Sequence, residues 1–215
     1  MTKRVSEHYE ILLKYLFKSQ NSTKPIKLLE IGAGNMEVKE LLPKNIIYHS
    51  MDFGNENNPT LNKKNKYTYL FNLDNPRIPI KDNSYDIIVC FETLEHVMYP
   101  KRVLKEIKRI AKKNALLFFS LPNEYNFVQR LYYLFAKKTM CEEPFEVVEK
   151  HLHIHKPRVK DIISFFSEFE IRKVYYVWQS VKMPSIVDDA INVIGKVFPS
   201  LFSRIVIVRA RNNKK

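Results

Sequence analysis

The stretch Ile26–Glu37, IKLLEIGAGNME, limits what this chain can fold into more than any other. Ile26, Leu28, Leu29 and Ile31 form a short, nearly continuous apolar run, the pattern of a strand covered on both faces of a parallel sheet. Glu30 stands at the carboxyl end of that run. Gly32 and Gly34 follow, where a Cβ would obstruct a tight turn or a ligand lying against the backbone. Val38, Leu41 and Leu42 give the next segment a helical spacing, and Pro43 stops it. Strand, Gly-x-Gly turn and helix make the first unit of a nucleotide-binding α/β fold, with the ligand over the strand's carboxyl end.

Residues beside the glycines narrow the ligand. A dinucleotide fingerprint, Gly-x-Gly-x-x-Gly, needs its third glycine where this chain has Glu37, and a carboxylate there repels a pyrophosphate. NAD is therefore disfavoured. A P-loop is absent too, because no Gly-Lys-Ser/Thr follows. An acid followed by x-Gly-x-Gly, as in Glu30 to Gly34, resembles the first motif of class I S-adenosylmethionine-dependent methyltransferases. That family's usual third glycine, two positions on, is Met36 here, which predicts an altered loop with binding retained.

The resemblance runs on to about residue 180. Ile46–Met51 reads as the second strand, ending in Asp52 and Phe53. Asp52 lies about twenty residues beyond Glu30, the spacing at which such folds set a carboxylate on the ribose hydroxyls. A turn aspartate ahead of Gly54 is the competing reading. Residues 54–66 are polar and residues 67–71 read as the third strand. Pro79, Ile80, Asp82, Asn83, Ser84, Tyr85 and Asp86 match the family's run into the fourth strand, Ile87–Phe91. By register, the family's contacts to adenine fall on Asn72 and the backbone N–H of Leu73. Asn72 accepts without charge assistance, and Asp74 competes for the role.

Glu92, Glu95 and His96 follow the fourth strand, spaced to share one helical face. This Glu-x-x-Glu-His run resembles one in ubiquinone-type O-methyltransferases, and the resemblance implies a divalent metal on these three residues. Other members of the wider family carry similar residues without metal, and acids at a helix start favour its dipole anyway. Glu92 also stands where the family's cofactor lies. Residues 100–113 predict an amphipathic helix burying Val103, Leu104, Ile107 and Ile110, and Ala115–Ser120 a fifth strand leading into Leu121, Pro122 and Asn123, as in the family. The aromatic-rich segment 125–150 occupies the position of the family's variable substrate cover. In HLHIH, His151, His153 and His155 share one side of an extended chain, as lining of a cleft or as metal ligands. His96, His151 and His153 are the candidate bases for an acceptor that must lose a proton. A helix from Pro157 through Phe166 and a sixth strand, Ile171–Trp178, follow.

Two segments frame this core. Residues 5–19 have helical spacing, with Tyr9 and Tyr15 either touching ligand or packing. Residues 185–203 predict an amphipathic insertion between the last two strands, apolar at Ile186, Ala190, Ile194, Val197 and Leu201, with Asp188, Asp189 and Lys196 opposite. Residues 204–210 are the final strand.

Composition sets outer limits. A chain of 215 residues suits one domain, with ample length for a core. Its net charge of +13 suits nucleic acid, acidic lipid headgroups, a phosphorylated substrate or simply a solvated lysine-rich surface. Lysine outweighs arginine, which argues against a specialised nucleic-acid binder. With only 4 glycines, asparagines such as Asn114 and Asn123 are expected to fill turns. Cys90 and Cys141 suit a reducing compartment, and Cys90 reads as inert core. No run reaches membrane-span length, and Glu7, His8 and Glu10 ahead of a short apolar stretch do not make a signal peptide. A cytoplasmic protein is expected, with peripheral contact to an anionic membrane through Phe198, Leu201 and Phe202.

The expectation is one α/β domain, a Rossmann-like, seven-stranded, mostly parallel sheet with helices on both faces and an antiparallel last strand. The resemblance implies methyl transfer from S-adenosyl-L-methionine to a small-molecule or lipid-linked acceptor, on oxygen, carbon or nitrogen. An RNA methyltransferase and a non-catalytic S-adenosylmethionine-binding module are the alternatives. The tetrad that amino-group methyltransferases of nucleic acids carry after strand four is FETL here, at Phe91 to Leu94.

Overall fold

The computed structural model describes residues 7–18, 24–53, 67–135, 153–178 and 185–214. Its strands are β1 (Ile26–Ile31), β2 (Ile46–Asp52), β3 (Tyr69–Leu70), β4 (Tyr85–Phe91), β5 (Ala111–Pro122), β6 (Glu170–Val177) and β7 (Ile205–Arg211). They form one sheet in the order β3-β2-β1-β4-β5-β7-β6. β1 to β5 pair in parallel, and β7 runs antiparallel to both its neighbours, β5 and β6. The chain reverses its strand order at β1 and β4, which opens a crevice at their carboxyl ends.

Alternation along the strands clothes both faces. Leu28, Val89, Phe91 and Phe118 point one way, into a core shared with Tyr9, Leu12 and Leu16 of α1 (Glu7–Lys18). Leu29, Ile31, Ile88, Cys90, Leu117 and Phe119 point the other way, against α2 (Pro100–Ile110) and α4 (Val159–Phe165). The four apolar positions expected of α2 are all buried, its first turn opens on a proline, and it ends as the chain turns into β5. Cys90 is buried, and desolvation pushes its thiol well above the ordinary range, so it stays protonated in the core.

Several expected elements take a different form. The helix after the glycines is only a 3₁₀ turn, Lys39–Leu41, because Pro43 leaves too little chain for an α-helix. Val38 nevertheless fills its core position. The third strand shrinks to two residues, whereas the fifth extends to twelve. Asn114 does adopt a left-handed backbone, φ 62°. Asn123 does not: it is buried, and its Nδ2 donates to the carbonyl of Ser203 at 2.9 Å and of Ser200 at 3.2 Å. It thereby ties the end of β5 to the chain entering β7.

The insertion before β7 breaks in two, α5 (Ser185–Val197) and α6 (Pro199–Phe202), with Pro199 starting the second piece. Its inner face is polar and small. Asn192 brackets the Trp178 peptide, accepting from its N–H at 2.6 Å and donating to its carbonyl at 3.1 Å. A Cβ on Gly195 would lie 2.5 Å from the Phe202 carbonyl oxygen, so this glycine permits the close approach of α6. The apolar side chains Val193, Ile194 and Val197 face outward, with Phe198 beside them. α3 (Phe127–Leu134), capped by Asn126, covers the first part of the expected substrate cover, and Phe127 stacks on Phe202 at 6.0 Å. The rest of that cover, with residues 54–66, Cys141 and His151, lies outside the described residues, as does the Ile186 side chain.

Candidate active site

The glycine turn lies between the ends of β1 and β2. Gly32 has φ 72° and its missing Cβ would lie 2.0 Å from Thr93 Oγ1, so this glycine lets the loop after β4 pack against the turn. Gly34 has φ 47°, and a Cβ there would meet nothing within 4 Å. Met36 adopts φ 52°, the left-handed backbone that a glycine would take most readily. A methionine thus carries a strained left-handed step in this loop.

Two carboxylates, Glu30 and Asp52, converge near this turn. Glu30 is buried, and it accepts from the hydroxyls of Tyr9 at 2.7 Å and of Tyr48. Burial raises its pKa, and those two hydrogen bonds oppose the rise. Tyr9 therefore joins α1 to the turn, while Tyr15 packs on Phe118. Asp52 accepts from the backbone N–H of Gly34 at 2.7 Å and of Phe53 at 2.6 Å, which fixes its carboxylate at the rim of the space over Gly34. Tyr67 donates to the Gly34 carbonyl at 2.8 Å and holds the turn from the other side.

The expected adenine contacts sit further along the rim. Asn72 Oδ1 accepts from the N–H of Asp74 at 2.9 Å, forming a local turn, and the Leu73 side chain is buried. Asp74 turns away from the crevice: its Oδ1 accepts from Met98 N–H at 2.8 Å and its carbonyl from Arg102. It serves α2, and that leaves Asn72 as the side chain of the pair nearer the expected role.

Beyond β4 the chain makes a left-handed step at Glu92, φ 44°, and then a 3₁₀ turn, Leu94–His96, in place of the expected helical face. Glu92 is exposed. Desolvation raises its carboxyl, while His153 and Arg204 hold it down. Glu95 is fully buried with neither carboxylate oxygen hydrogen-bonded, and burial pushes its pKa up to about 8. Glu95 Oε1 lies 4.0 Å from His96 Nε2.

His153 completes the group. One ligand atom each from Glu95, His96 and His153 lie within 4.8 Å of one another, and the His96 and His153 rings meet edge to face at 4.9 Å. The expected metal set contained Glu92 in place of His153. The left-handed step at Glu92 and the 3₁₀ turn after it break the helical spacing on which that set was based. His153 Nδ1 is hydrogen-bonded to Glu124, a nearly buried acid just past β5. His155 turns aside, its Nε2 2.9 Å from the Val97 carbonyl oxygen. Sequence reasoning missed Glu124, Tyr48 and Arg102. An acid directly after the Leu-Pro-Asn end of strand five was the available signal for the first; the others depend on tertiary approach alone.

A family model described as a methyltransferase domain matches residues 1–175. Among curated proteins, the ubiquinone biosynthesis O-methyltransferase of Vibrio campbellii is 25% identical over 154 residues, covering 69% of this chain and 63% of that protein. Its counterpart in Coxiella burnetii is 30% identical over 149 residues, covering 66% of this chain and 61% of that protein. The chain thus spans less than two thirds of the length of these relatives. A solved S-adenosylmethionine-dependent methyltransferase from Archaeoglobus fulgidus superimposes with a TM-score of 0.56 at 17% identity, covering 94% of each chain. At that identity the likeness concerns the fold. The sheet order, the glycine turn at the end of β1 and a family match over most of its length place this chain in the methyltransferase-domain family.

Proposed function

We propose that this chain transfers a methyl group from S-adenosylmethionine to a hydroxyl of a small-molecule or lipid-linked acceptor. The observation that carries the acceptor half is the Glu124–His153 pair, facing His96 and Glu92 where strands β4 and β5 end. The cofactor half is supported by the space over Gly34, where a Cβ would meet no neighbour, and by Asp52 on its rim. A nucleoside fits there, its ribose hydroxyls on Asp52 and its adenine towards Asn72 and Leu73, and the relatives' printed name favours oxygen as the acceptor atom.

Bound S-adenosylmethionine supplies a methyl group already activated on a sulfonium, so the protein's work is alignment and proton removal. Glu124 holds His153 Nδ1 in its protonated tautomer, leaving Nε2 to take the acceptor's proton. The sulfonium would keep the electron pair of its bond to the methyl group that the acceptor oxygen takes, and His153 would hold the proton the oxygen loses. Glu30, tied by two tyrosines, positions the turn.

The same cluster supports a second reading. Glu95 has two buried, unpartnered oxygens, and with His96 and His153 it suits one divalent cation. Such an ion would bind the acceptor oxygen and lower its pKa. His153 would then be a ligand and Glu124 its orienting partner.

The outward apolar stripe Val193, Ile194 and Val197, on a chain of net charge +13, supports meeting the acceptor at an anionic membrane surface. Among the described residues no helix is long and apolar enough to cross a membrane.

The test is transfer of a labelled methyl group from S-adenosylmethionine into separate small-molecule, lipid, RNA and protein fractions. Label in a small molecule or lipid, lost on the order of 10² to 10⁴-fold in His153→Gln with S-adenosylhomocysteine affinity unchanged, is the expected result. Label in RNA alone would refute the acceptor class. Tight cofactor binding with no transfer to any fraction would favour the non-catalytic module.

A further inference from the structure

A cavity of about 590 Å³ lies between the turn after β4, the end of β5, and helices α2 and α4. That size suits an organic ligand of some tens of heavy atoms. Its lining is apolar for the most part, from Leu94, Met98, Leu121, Ile162 and Phe165. Polar side chains interrupt it, among them Glu95, whose buried carboxyl has no hydrogen-bond partner, and Arg102.

Arg102 is held in place on the cavity wall. Its guanidinium stacks 4.4 Å from the centre of the Tyr99 ring, and one terminal nitrogen donates to the Asp74 carbonyl. These contacts fix its plane, yet its Nε is buried without a partner. A buried donor left unpaired is costly and is retained where something else uses it. Lys101 lies beside it in the lining. Asp161, the other acid in the lining, is already engaged by Arg158 at 2.8 and 3.0 Å, so its charge is offset.

Glu95 links this cavity to the histidines. It lines the cavity, and the same carboxyl lies 4.0 Å from His96 and within 4.8 Å of a His153 ring nitrogen. The cofactor turn sits elsewhere, at the ends of β1 and β2. We propose that the cavity holds the apolar body of the methyl acceptor, and that this acceptor carries an acidic group, carboxylate or phosphate, bound by Arg102. This assignment rests on the acceptor site being at His153. It narrows the substrate class to apolar acids, with the reacting hydroxyl projecting past Glu95.

The test uses the whole chain and the fluorescent probe 1-anilinonaphthalene-8-sulfonate, an apolar body with one anionic group. Saturable binding to one site is expected. Dodecanoate or dodecyl phosphate should displace the probe at least tenfold better than dodecanol, and the ranking of the two acids tells carboxylate from phosphate. Arg102→Met should shrink that preference to under threefold. Ile162→Trp should block the cavity, and Met98→Trp, at an exposed position, should do so without risk to folding. Val197→Asp should leave probe binding unchanged, which separates the cavity from the apolar face of α5. S-Adenosylhomocysteine affinity should be unaltered in every variant.

Equal displacement by dodecanol and dodecanoate, or probe binding indifferent to both tryptophan variants, would overturn the assignment. Probe binding as expected in a chain that binds no S-adenosylhomocysteine would leave the cavity as an acid-binding site and refute the methyl-transfer reading instead. A probe that fails while the cofactor binds would do the reverse.

Discussion

Replacing Gly32 by alanine places a Cβ 2.0 Å from Thr93 Oγ1 and 2.8 Å from its Cγ2, in a backbone with φ 72°. The left-handed conformation alone costs a non-glycine residue about 1–2 kcal/mol. Thr93 must then rotate away, losing the hydrogen bond its Oγ1 donates to the Phe91 carbonyl at 2.8 Å, worth about 1 kcal/mol. The expected loss is about 2–3 kcal/mol, a large part of a typical stability of about 5–15 kcal/mol. Gly34→Ala carries the conformational cost without the clash, since its Cβ meets nothing within 4 Å. It should lose about 1–2 kcal/mol of stability and yet weaken S-adenosylhomocysteine at least tenfold, because the added methyl enters the space assigned to the nucleoside. Urea unfolding and calorimetric titration, run on both variants, separate the two effects. Thr93→Ala should recover about 1 kcal/mol in the Gly32→Ala background, read as a coupling energy. A Gly32→Ala chain no less stable than Gly34→Ala would refute the packing argument. A Gly34→Ala chain that binds S-adenosylhomocysteine within twofold of the parent would refute the placement of the cofactor.

Asp52→Asn should weaken S-adenosylhomocysteine about ten- to a hundredfold by calorimetry, as the ribose loses charge-assisted bonds; NAD shifting the melting temperature when S-adenosylhomocysteine does not would contradict the nucleoside assignment. Manganese should bind at one site by paramagnetic resonance and be lost in Glu95→Gln, and full methyl transfer in excess chelator would retire the cation reading. The chain should co-sediment with anionic but not neutral vesicles at low salt, and Phe198→Asp should weaken this; failure with all vesicles would leave a soluble encounter with the acceptor. Arg109 donates to Glu106 at 2.7 Å and to the carbonyls of Ile78 and Ile80, and this pairing holds the Glu106 carboxyl below its ordinary pKa. A depressed carboxyl adds stability that is complete above the unfolded-state pKa and lost as pH falls through the folded one. Glu106→Gln should therefore lower the melting temperature at neutral pH and flatten its decline in acid, and an unchanged acid limb would count against the pairing.

The local pattern in the chain was enough for the scaffold. An apolar strand running into Gly-x-Gly and the apolar runs of β4 and β5 specify strands covered on both faces, and the four buried positions of α2 specify which face of that helix goes inward. Those patterns depend only on neighbours in sequence. The position of Asp52 at the end of β2 was readable for a similar reason, as the end of a strand is set by its own residues. What the sequence could not settle was how separate segments meet. The helix that spacing predicted ahead of Pro43 formed only a 3₁₀ turn. The left-handed step at Glu92 broke the supposed helical face of Glu92, Glu95 and His96, and His153, more than fifty residues on, is the side chain that lies beside Glu95 and His96. Glu124 gained its meaning only from touching His153. The amphipathic stripe of α5 was visible in sequence, but an apolar stripe has no sign of direction. Asn192 and Gly195 turned it outward, since the Trp178 peptide and the Phe202 carbonyl need a polar group and a close approach. Contacts of that kind join residues far apart in the chain, and only the folded backbone decides which of them are made.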